Sequence, residues 1–388
     1  MRVRSVISIL LILTVSACVD RINFDVEVKS NFPIVIDGHI SDQAGPYTIK
    51  VSNSFDIDSK TTMKTPASVK ELVILDDLGN REVLSEVNEG TYQTSANGMR
   101  GEVGRAYRLR VELFTGQVYE SKSDTIPSPG NLDSVYYKFE KGEVGELGET
   151  KYVFDIYFDA SNGLSGNFYF VWKFTGTFKV VTTPEADKEG EPCSVQTIDC
   201  RGCSVCNRVW KCSGIRNIGT PAEPKYVRLF PCSCCTCWYN IFNEKPILSD
   251  IQFSKFGKYN AVKAGTVPVD DRIFQHKVYA EVSQLSLTPR AYGYYNAIKD
   301  QEEAVNSLFQ PISGKIASNF IQVSGPENPI EGLFFAASAS NKTIIITRKD
   351  VPQRTFEFLP EYPPPIFAKN CIYLFPNSTT IRPAFWED

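Results

Sequence analysis

Short runs of β-branched and aromatic residues, separated by turn-forming residues, dominate much of the chain. Ile34 to Ile36 and Thr48 to Val51 are typical of strands, and Asp37-Gly38 and Asn97-Gly98 are typical of turns between strands. About seven such runs within residues 33–126 predict an immunoglobulin-like β-sandwich. The cysteine pair of antibody domains is absent from this stretch of the sequence.

A second, larger β-rich region is predicted over residues 131–388. Two prolines and a glycine between Pro127 and Gly130 interrupt any strand at its border with the first region. Phe168 to Phe174 is apolar on both faces, which favours a strand inside a sheet. From about residue 183 to 249 the chain is rich in Pro, Gly and Cys without periodicity. This pattern predicts an irregular cysteine-rich insertion that needs covalent staples to hold one conformation.

One helix is predicted shortly after residue 287. Thr288 suits the N-cap and Pro289 the first turn, while apolar side chains recur at helical spacing through Ala291, Tyr292, Tyr295 and Ile298. Glu302 interrupts this apolar face, so a break near Asp300 is left open. The fold class expected is mainly β, with one or two short helices.

The N-terminus has the features of a bacterial lipoprotein signal. Two arginines precede an apolar run, and Val15-Ser16-Ala17-Cys18 resembles the sequence that lipoprotein signal peptidase cleaves before the cysteine. We predict a signal peptide at 1–17, lipidation with palmitate at Cys18 and a lipidated tether at 18–32. An uncleaved anchor, which needs about 20 apolar residues, and an ordinary secretory signal are the alternatives.

Composition narrows the possible partners. The 388 residues are enough for two or three domains, and the formal net charge is −4. Neither this charge nor any block of like charge favours nucleic acid or an electrostatic membrane patch. We therefore expect no nucleic-acid partner, and contact with the membrane through the N-terminal lipid.

Cysteines are concentrated in the predicted insertion, where nine of the 11 fall. Without the lipidated Cys18, the count is even, which favours a disulfide framework in an exported protein. Because nine is odd, we expect Cys371 to fold back and pair with one of the others. The disulfide candidates are Cys193, Cys200, Cys203, Cys206, Cys212, Cys232, Cys234, Cys235, Cys237 and Cys371.

A metal site is the alternative interpretation of these cysteines. Cys200, Cys203 and Cys206 have the spacing of iron–sulfur ligands, and Cys-x-Cys pairs can bind zinc. The fourth ferredoxin cysteine followed by proline is missing, no histidine lies nearby, and an oxidising compartment favours disulfides. We therefore predict no metal and no cofactor.

The sequence offers little support for catalysis. His39 and His276 lack a nucleophile motif nearby, and His39 is expected to flank a turn at the surface. Asp155 and Asp159 alternate with aromatics, as a glycosidase pair could, but a solvated strand face is the favoured interpretation. We predict a protein that is not an enzyme.

Aromatic side chains could form a platform for a sugar or a peptide, because exposed Tyr and Trp stack on ligands with little entropic loss. Core packing is the favoured alternative, since the runs around these residues are apolar. The candidates are Tyr136, Tyr137, Trp172, Trp238 and Tyr239.

Several segments carry a resemblance to a known family. Pro33 to Ile40, followed by Gly45 to Val51, is similar to its opening strands, and Tyr279 to Gly314 resembles its central helix and the segment after it. Its cysteine and C-terminal features are similar to Cys235-x-Cys237-Trp238, Cys371 and Arg382 to Trp386. The family is that of Bacteroidota lipoproteins carrying the domain of unknown function numbered 4249. The dense cysteines depart from its pattern.

The resemblance implies an outer-membrane lipoprotein, expected at the cell surface. It would act as an accessory or lid-like subunit of a TonB-dependent receptor of the SusC type in nutrient uptake, a role comparable to that of SusD. Two alternatives stay open. One is a free-standing surface lipoprotein that binds glycan or peptide, and the other is a subunit of the machinery that assembles outer-membrane proteins.

Overall fold

The computed structural model describes residues 33–54, 65–144, 150–162, 169–183, 214–220, 223, 225–229, 231–243, 245–250, 257–270, 272–305, 316–352, 371–375 and 378–387. The predicted signal peptide and tether lie outside the described residues. So do Cys18 and the first five cysteines of the predicted insertion, namely Cys193, Cys200, Cys203, Cys206 and Cys212.

The described part of the chain is mainly β. Its strands are β1 (Ile34–Ser41), β2 (Thr48–Asn53), β3 (Thr65–Pro66), β4 (Val69–Asp76), β5 (Arg81–Val83), β6 (Ser85–Asn88), β7 (Thr91–Gln93), β8 (Ala106–Leu113), β9 (Val118–Ser121), β10 (Asp124–Thr125), β11 (Asn131–Val144), β12 (Thr150–Ser161), β13 (Phe170–Val181), β14 (Ile215–Asn217), β15 (Tyr226–Arg228), β16 (Thr236–Phe242), β17 (Ile247–Leu248), β18 (Lys258–Pro268), β19 (Lys277–Ser286), β20 (Phe320–Ser324) and β21 (Ile330–Thr347). The α-helices are α1 (Pro289–Val305) and α2 (Cys371–Leu374), and two 3-10 turns lie at Ile273–Gln275 and Arg348–Asp350.

A ten-stranded sheet forms the centre of the molecule. Its strand order is β16-β13-β19-β21-β1-β2-β7-β6, with β17 also paired to β13 and β3 to β2. The apolar run predicted to lie inside a sheet is β13, which has β16 on one side and β19 on the other. That prediction is confirmed.

Two smaller sheets pack on one face of the central sheet. The six-stranded sheet β20-β9-β8-β4-β5, with β10 paired to β8, shares a core with the β1 end, where Phe334 packs with Leu109. The three-stranded sheet β11-β12-β18 shares a second core with the β13 end, where Trp172 packs with Phe154. Each fully buried side chain of this size contributes about 1.5–3 kcal/mol. The N-terminal half is thus a β-sandwich, as predicted.

Alternation of side chains explains why these strands form. In β8, Tyr107, Leu109, Val111 and Leu113 are buried and the residues between them are partly exposed. Successive side chains of a strand point to opposite faces, so this period of two buries one face and solvates the other.

Hydrogen bonds cross the predicted border at Pro127 to Gly130. β1 pairs in parallel with β21 from Ile34↔Ile330 to Ser41↔Ala337, and β20 pairs with β9. The sandwich is therefore completed by two strands from the C-terminal part of the chain. Whether 33–126 and 131–388 are separate domains stays a prediction.

The predicted helix is α1. The Thr288 hydroxyl accepts a hydrogen bond from the backbone N–H of Ala291 at 3.3 Å, which is the expected N-cap contact. The helix continues past Asp300 to Val305 without a break. It covers the face of the central sheet opposite to the two smaller sheets, where Ala291 packs with Leu285 and Phe335.

The expectation of an irregular insertion is wrong at the short strands β14, β15 and β17, and over the longest stretch at Thr236–Phe242. These residues form β16, which pairs with β13 from Thr175↔Phe242 to Val181↔Thr236. The reason is local, because the run combines Trp, Tyr, Ile and Phe, which favour strands, and its burial alternates from Tyr239 onward.

Residues 371–375 and 378–387 lie beside β16, and we call them the C-terminal strap. Backbone bonds join Trp238 and Thr379 in both directions, and the Trp386 ring packs 4.9 Å from Tyr279 and 6.3 Å from Trp238. The strap thus covers part of an edge that would otherwise offer unpaired backbone groups. None of the helices described here combines the length and the hydrophobicity needed to cross a bilayer.

Candidate binding site beneath the helix

Two disulfide bonds connect described cysteines. Cys232 bonds to Cys235, with Cα atoms 5.5 Å apart, and Cys237 bonds to Cys371, with Cα atoms 6.1 Å apart. Cys371 therefore folds back onto the cysteine cluster, as the odd count predicts. Cys234 is also disulfide-bonded.

The Cys237–Cys371 bond anchors the C-terminal strap. It spans a sequence separation of 134, whereas Cys232–Cys235 spans 3. A bond that closes a longer loop removes more entropy from the unfolded chain, and such bonds contribute about 2–4 kcal/mol. The described residues hold no group of three or more His, Cys, Asp or Glu side chains placed to bind a metal ion.

Most of the aromatic candidates belong to the interior. Trp172 is buried and its indole N–H donates to Gln284 Oε1 at 2.8 Å, and Trp238 is buried under Trp386. Tyr239 packs against Phe178 and Phe375. Core packing is confirmed for Trp172 and Trp238.

The remaining candidates lie on β11. The Tyr137 hydroxyl donates to Asp350 Oδ1 at 2.8 Å, and Tyr136 stands beside Tyr157 with ring centroids 5.9 Å apart. Lys138 lies over the Tyr157 ring at 4.8 Å. Of the five candidates, Tyr136 comes nearest to the predicted aromatic platform. The ring of its neighbour Tyr157, however, is already covered by the Lys138 ammonium.

The two carboxylates of β12 have structural partners. Asp155 accepts from Lys263 Nζ at 2.8 Å and from the Thr266 hydroxyl at 2.9 Å. Asp159 accepts from the Ser134 hydroxyl and from the backbone N–H of Ala261, both at 2.7 Å. These contacts tie β12 to β11 and β18. Asp155 is buried, so the expectation of a solvated strand face is wrong for it, whereas Asp159 is partly exposed.

His39 is not beside a turn, and that prediction is wrong. Asp37-Gly38 lies inside β1, which has strand partners on both sides. A Cβ on Gly38 would lie 2.2 Å from Cδ1 of Ile49, so the glycine makes room for cross-strand packing instead of a turn. The imidazole stacks on the Phe335 ring, with centroids 5.0 Å apart.

His39 is part of a cluster between α1 and the central sheet that the sequence did not indicate. The Tyr295 ring meets Phe335 edge-on at 5.8 Å, and Lys173 Nζ lies over the Tyr295 ring at 5.8 Å. Tyr294 contacts Tyr295 edge-on at 6.4 Å. We define the helix cleft as Asp37, His39, Lys173, Tyr294, Tyr295 and Phe335.

Three strands of the central sheet (β1, β13 and β21) and the helix α1 bring these side chains together. His39 and Phe335 are paired neighbours in the parallel ladder of β1 and β21, so they share a face. Lys173 alternates with buried Trp172 and Phe174 on β13 and therefore points to the opposite face, toward α1. Tyr294 and Tyr295 come from α1 itself.

Burial governs the ionisation of this cluster. Desolvation, assisted by the Lys173 charge, lowers the pKa of His39 to about 4, so the imidazole is neutral near pH 7. Desolvation also lowers the pKa of Lys173, against the opposing effect of Asp37. The pKa of Tyr295 is raised by desolvation and then by Asp37.

The polar groups of the cleft are unpaired within the described part of the chain. No hydrogen bond or salt bridge there reaches the side chains of His39, Lys173, Tyr294 or Tyr295. Each of them keeps part of its surface accessible to solvent. These side chains are desolvated by the surrounding protein and still accessible to solvent, so a molecule that reaches them can form hydrogen bonds with them.

The fold and this cleft define a class of protein: a disulfide-stapled β-sheet protein with a helix-covered polar cleft. The chain belongs to the family described as Domain of unknown function (DUF4249), whose model matches residues 19–343. The match includes every cleft residue and ends before the C-terminal strap. No curated protein matches the chain.

Proposed function

We propose that this protein is a non-enzymatic, lipid-anchored binding protein of the outer membrane. In this role it is an accessory subunit of a TonB-dependent receptor of the SusC type in nutrient uptake. The observation that carries the binding role is the helix cleft, where desolvated polar side chains converge without partners among the described residues.

The export and anchoring part of the proposal has two supports. The N-terminal sequence ends in a lipobox-like stretch before Cys18, and disulfides such as Cys237–Cys371 form and persist in oxidising compartments. Receptor partnership is supported by the resemblance to lipoproteins encoded beside such receptors. The lipid would hold the protein beside the barrel at the cell surface.

A non-enzymatic role is consistent with the contacts of the histidine and carboxylate side chains that the sequence offered for catalysis. His39 is neutral near pH 7 and is stacked on Phe335, while Asp155 and Asp159 are engaged by neighbouring strands. None of these carboxylates is placed beside an imidazole in the contacts above.

Affinity purification of the lipidated full-length protein from gently solubilised outer membranes tests the proposal, with the co-purifying proteins identified by mass spectrometry. We expect a TonB-dependent barrel in stoichiometric amount. A Cys18→Ala variant is the matched control, because it should lose the lipid and leave the membrane fraction while its fold is unchanged.

Two other outcomes would replace the receptor part of the proposal. Recovery of the protein alone would favour a free-standing binder of glycan or peptide. Loss of many unrelated barrels on depletion of the protein would favour a subunit of the outer-membrane assembly machinery.

A further inference from the structure

The described chain enters the sandwich at one end. The backbone N–H of Ile34 donates to the Pro329 carbonyl at 3.1 Å, and that of Ser54 donates to the Pro33 carbonyl at 2.8 Å. From there β1 runs in parallel with β21, and β2 returns antiparallel to β1. The starts of β1 and β21 and the end of β2 therefore lie together, and we call this place the entry end.

Two loops of the six-stranded sheet lie at the entry end. The β8–β9 turn contacts the segment after β20, because a Cβ on Gly325 would lie 2.6 Å from the carbonyl oxygen of Gly116. The Tyr119 hydroxyl donates to the carbonyl of Asn328 at 3.4 Å. Residues 325–329 lead directly into β21, so both loops adjoin the place where the chain enters.

Apolar side chains are exposed on both loops. Phe114 is 71% exposed and Val323 is 52% exposed. We define the entry rim as residues 114–117 and 323–326, which include no charged residue. Single exposed apolar side chains are common and need no explanation. Two of them on adjoining uncharged loops form a surface that can leave water without desolvating a charged side chain.

The opposite end of the same sheet has a different character. β8 ends in the turn of the entry rim, and β4 runs antiparallel to β8, so the turn after β4 lies at the far end. Leu78 in that turn is 73% exposed. It follows Asp76 and Asp77, which form ion pairs with Arg105 at 2.8 and 2.6 Å. Moving these charges out of water is costly, so the far end favours solvent, whereas the entry rim has no such requirement.

The length of chain before the sandwich ties the entry end to the lipid. Residues 19–32 separate the predicted lipidated Cys18 from Pro33. A chain of this length reaches at most about 50 Å when it is fully extended. The 8 residues of β4 place the far end about 25 Å further from the point of attachment. Attachment therefore holds the entry end closer to the bilayer than the far end.

We propose that the entry rim is a membrane-contact surface, with Phe114 and Val323 inserted among the lipids at the interface, beside the N-terminal lipid. The apolar face of an interfacial segment lies about 5–10 Å deep, at the boundary of headgroups and acyl chains. This inference rests on the lipid anchor of the proposed function and adds the orientation of the protein on the membrane. It does not depend on the receptor partnership.

Fluorescence quenching by brominated lipids tests the orientation. The lipidated full-length protein is reconstituted into vesicles of neutral phosphatidylcholine, whose acyl chains are either unmodified or brominated near the headgroup. Bromine quenches indole emission only at close contact. Phe114→Trp places a reporter on the entry rim. Leu78→Trp is the matched control, because Leu78 is exposed to almost the same extent at the far end.

The emission of the four native tryptophans is measured in the unmodified protein and subtracted. In brominated vesicles we expect Phe114→Trp to lose most of its added emission, and Leu78→Trp to lose none. Val323→Trp is a second rim reporter and should behave like Phe114→Trp. The quenching should be the same at low and high salt, because salt screens charges and not apolar contacts.

Three results would overturn the membrane contact: no quenching of either rim reporter, equal quenching at both ends, or quenching that disappears at high salt. Flotation with the vesicles reports the anchor separately. Protein that floats with unquenched rim reporters would refute the orientation and leave the lipid anchor standing. Protein that does not float would refute the anchor of the proposed function, and this inference with it. Thermal melting shows whether each variant is folded.

Discussion

Two sheet surfaces of this protein, one open to solvent and one beneath α1, have the same strand alternation but differ in the pairing of their charged side chains. On the six-stranded sheet, Arg110 pairs with Glu120 at 2.6 Å and Lys70 with Glu112 at 2.5 Å, all in partly exposed positions. In the helix cleft, the Lys173 ammonium has no such partner among the described residues. These charges of the first surface are paired with one another, whereas the Lys173 ammonium has no ion-pair partner among the described residues.

The difference shows that strand alternation does not distinguish polar side chains that are paired from those that are not. In both surfaces the polar side chains alternate with apolar ones along the strand, so the sequence pattern is the same. On the open sheet, water and oppositely charged neighbours satisfy charges such as Lys70 and Arg110 at little cost. Beneath α1, water is partly displaced, so an unpaired charge such as the Lys173 ammonium raises the energy of the folded protein.

The largest effect is expected from breaking the sheet that joins the two surfaces. Gly332 has φ +98°, and a Cβ there would lie 1.9 Å from the carbonyl oxygen of Ile36. Gly332→Ala should therefore push β21 away from β1 and lower the free energy of unfolding by more than the about 1–3 kcal/mol that backbone strain alone costs. Chemical denaturation measures this loss.

Gly79→Ala is the control for backbone strain alone. Gly79 has φ +87° but no atom within 4 Å of the added Cβ. This variant should lose about 1 kcal/mol. Equal losses in the two variants would mean that the β1–β21 ladder adds nothing beyond local strain.

The second effect concerns the strap at the other end of the helix-covered face. Replacing Cys237 and Cys371 together by alanine should lower the free energy of unfolding by about 2–4 kcal/mol, because their bond closes a long loop. Replacing Cys232 and Cys235 should cost about half as much, since their loop is short. Denaturant titrations of both double variants decide this, and a larger loss for the short loop would contradict it.

The third effect is a pH dependence in the cleft. The folded pKa of His39 is about 4, below the ordinary value of 6.5, so the unfolded chain binds a proton more readily between these values. The stability associated with the neutral His39 is fully present above pH 6.5. It is lost as the pH falls toward 4, which lowers the free energy of unfolding by up to about 3 kcal/mol.

His39→Phe keeps a ring against Phe335 but cannot titrate, so its stability should fall less steeply than that of the unmodified protein between pH 6.5 and 4. His276→Gln is the control, because His276 is exposed. Thermal melting across this range measures the difference. Parallel pH profiles for the unmodified protein and His39→Phe would refute the burial of a neutral imidazole.

The smallest effect is expected from removing one charge from each of the two surfaces. Lys173→Met removes a desolvated, unpaired cation and should raise the free energy of unfolding by about 1 kcal/mol in the absence of ligand. Glu120→Gln removes an exposed ion pair and should lower it by less than about 1 kcal/mol. Opposite signs in denaturant titrations support the comparison, and a loss in both variants would contradict it.

Much of the fold was predictable from local patterns. Alternation indicated β8, a run apolar on both faces indicated the interior strand β13, and Thr288 with Pro289 marked the start of α1. The odd number of clustered cysteines indicated the return of Cys371. Each of these signals is contained in a few residues or in a simple count.

Other features had no local signal. Gly332 to Ala336 and Thr343 to Ile346 resemble two strands, but Ser338 to Asn341 between them also pair with β19, so β21 is continuous. Asp37-Gly38 has the composition of a turn, but pairing on both sides of β1 keeps it extended. In both cases strand pairing outweighs local preference.

The sequence by itself determined the β-rich class of this protein, the position of its helix and the covalent return of its C-terminus, because spacing, capping residues and cysteine number act locally or by counting. Only the tertiary structure decided that β1 joins β21 and that His39, Lys173 and Tyr295 meet beneath α1. The physical reason is that these residues lie far apart in the chain, and their proximity depends on the order of strands in the central sheet. Desolvation, which changes their chemistry, arises only when the helix packs on that sheet.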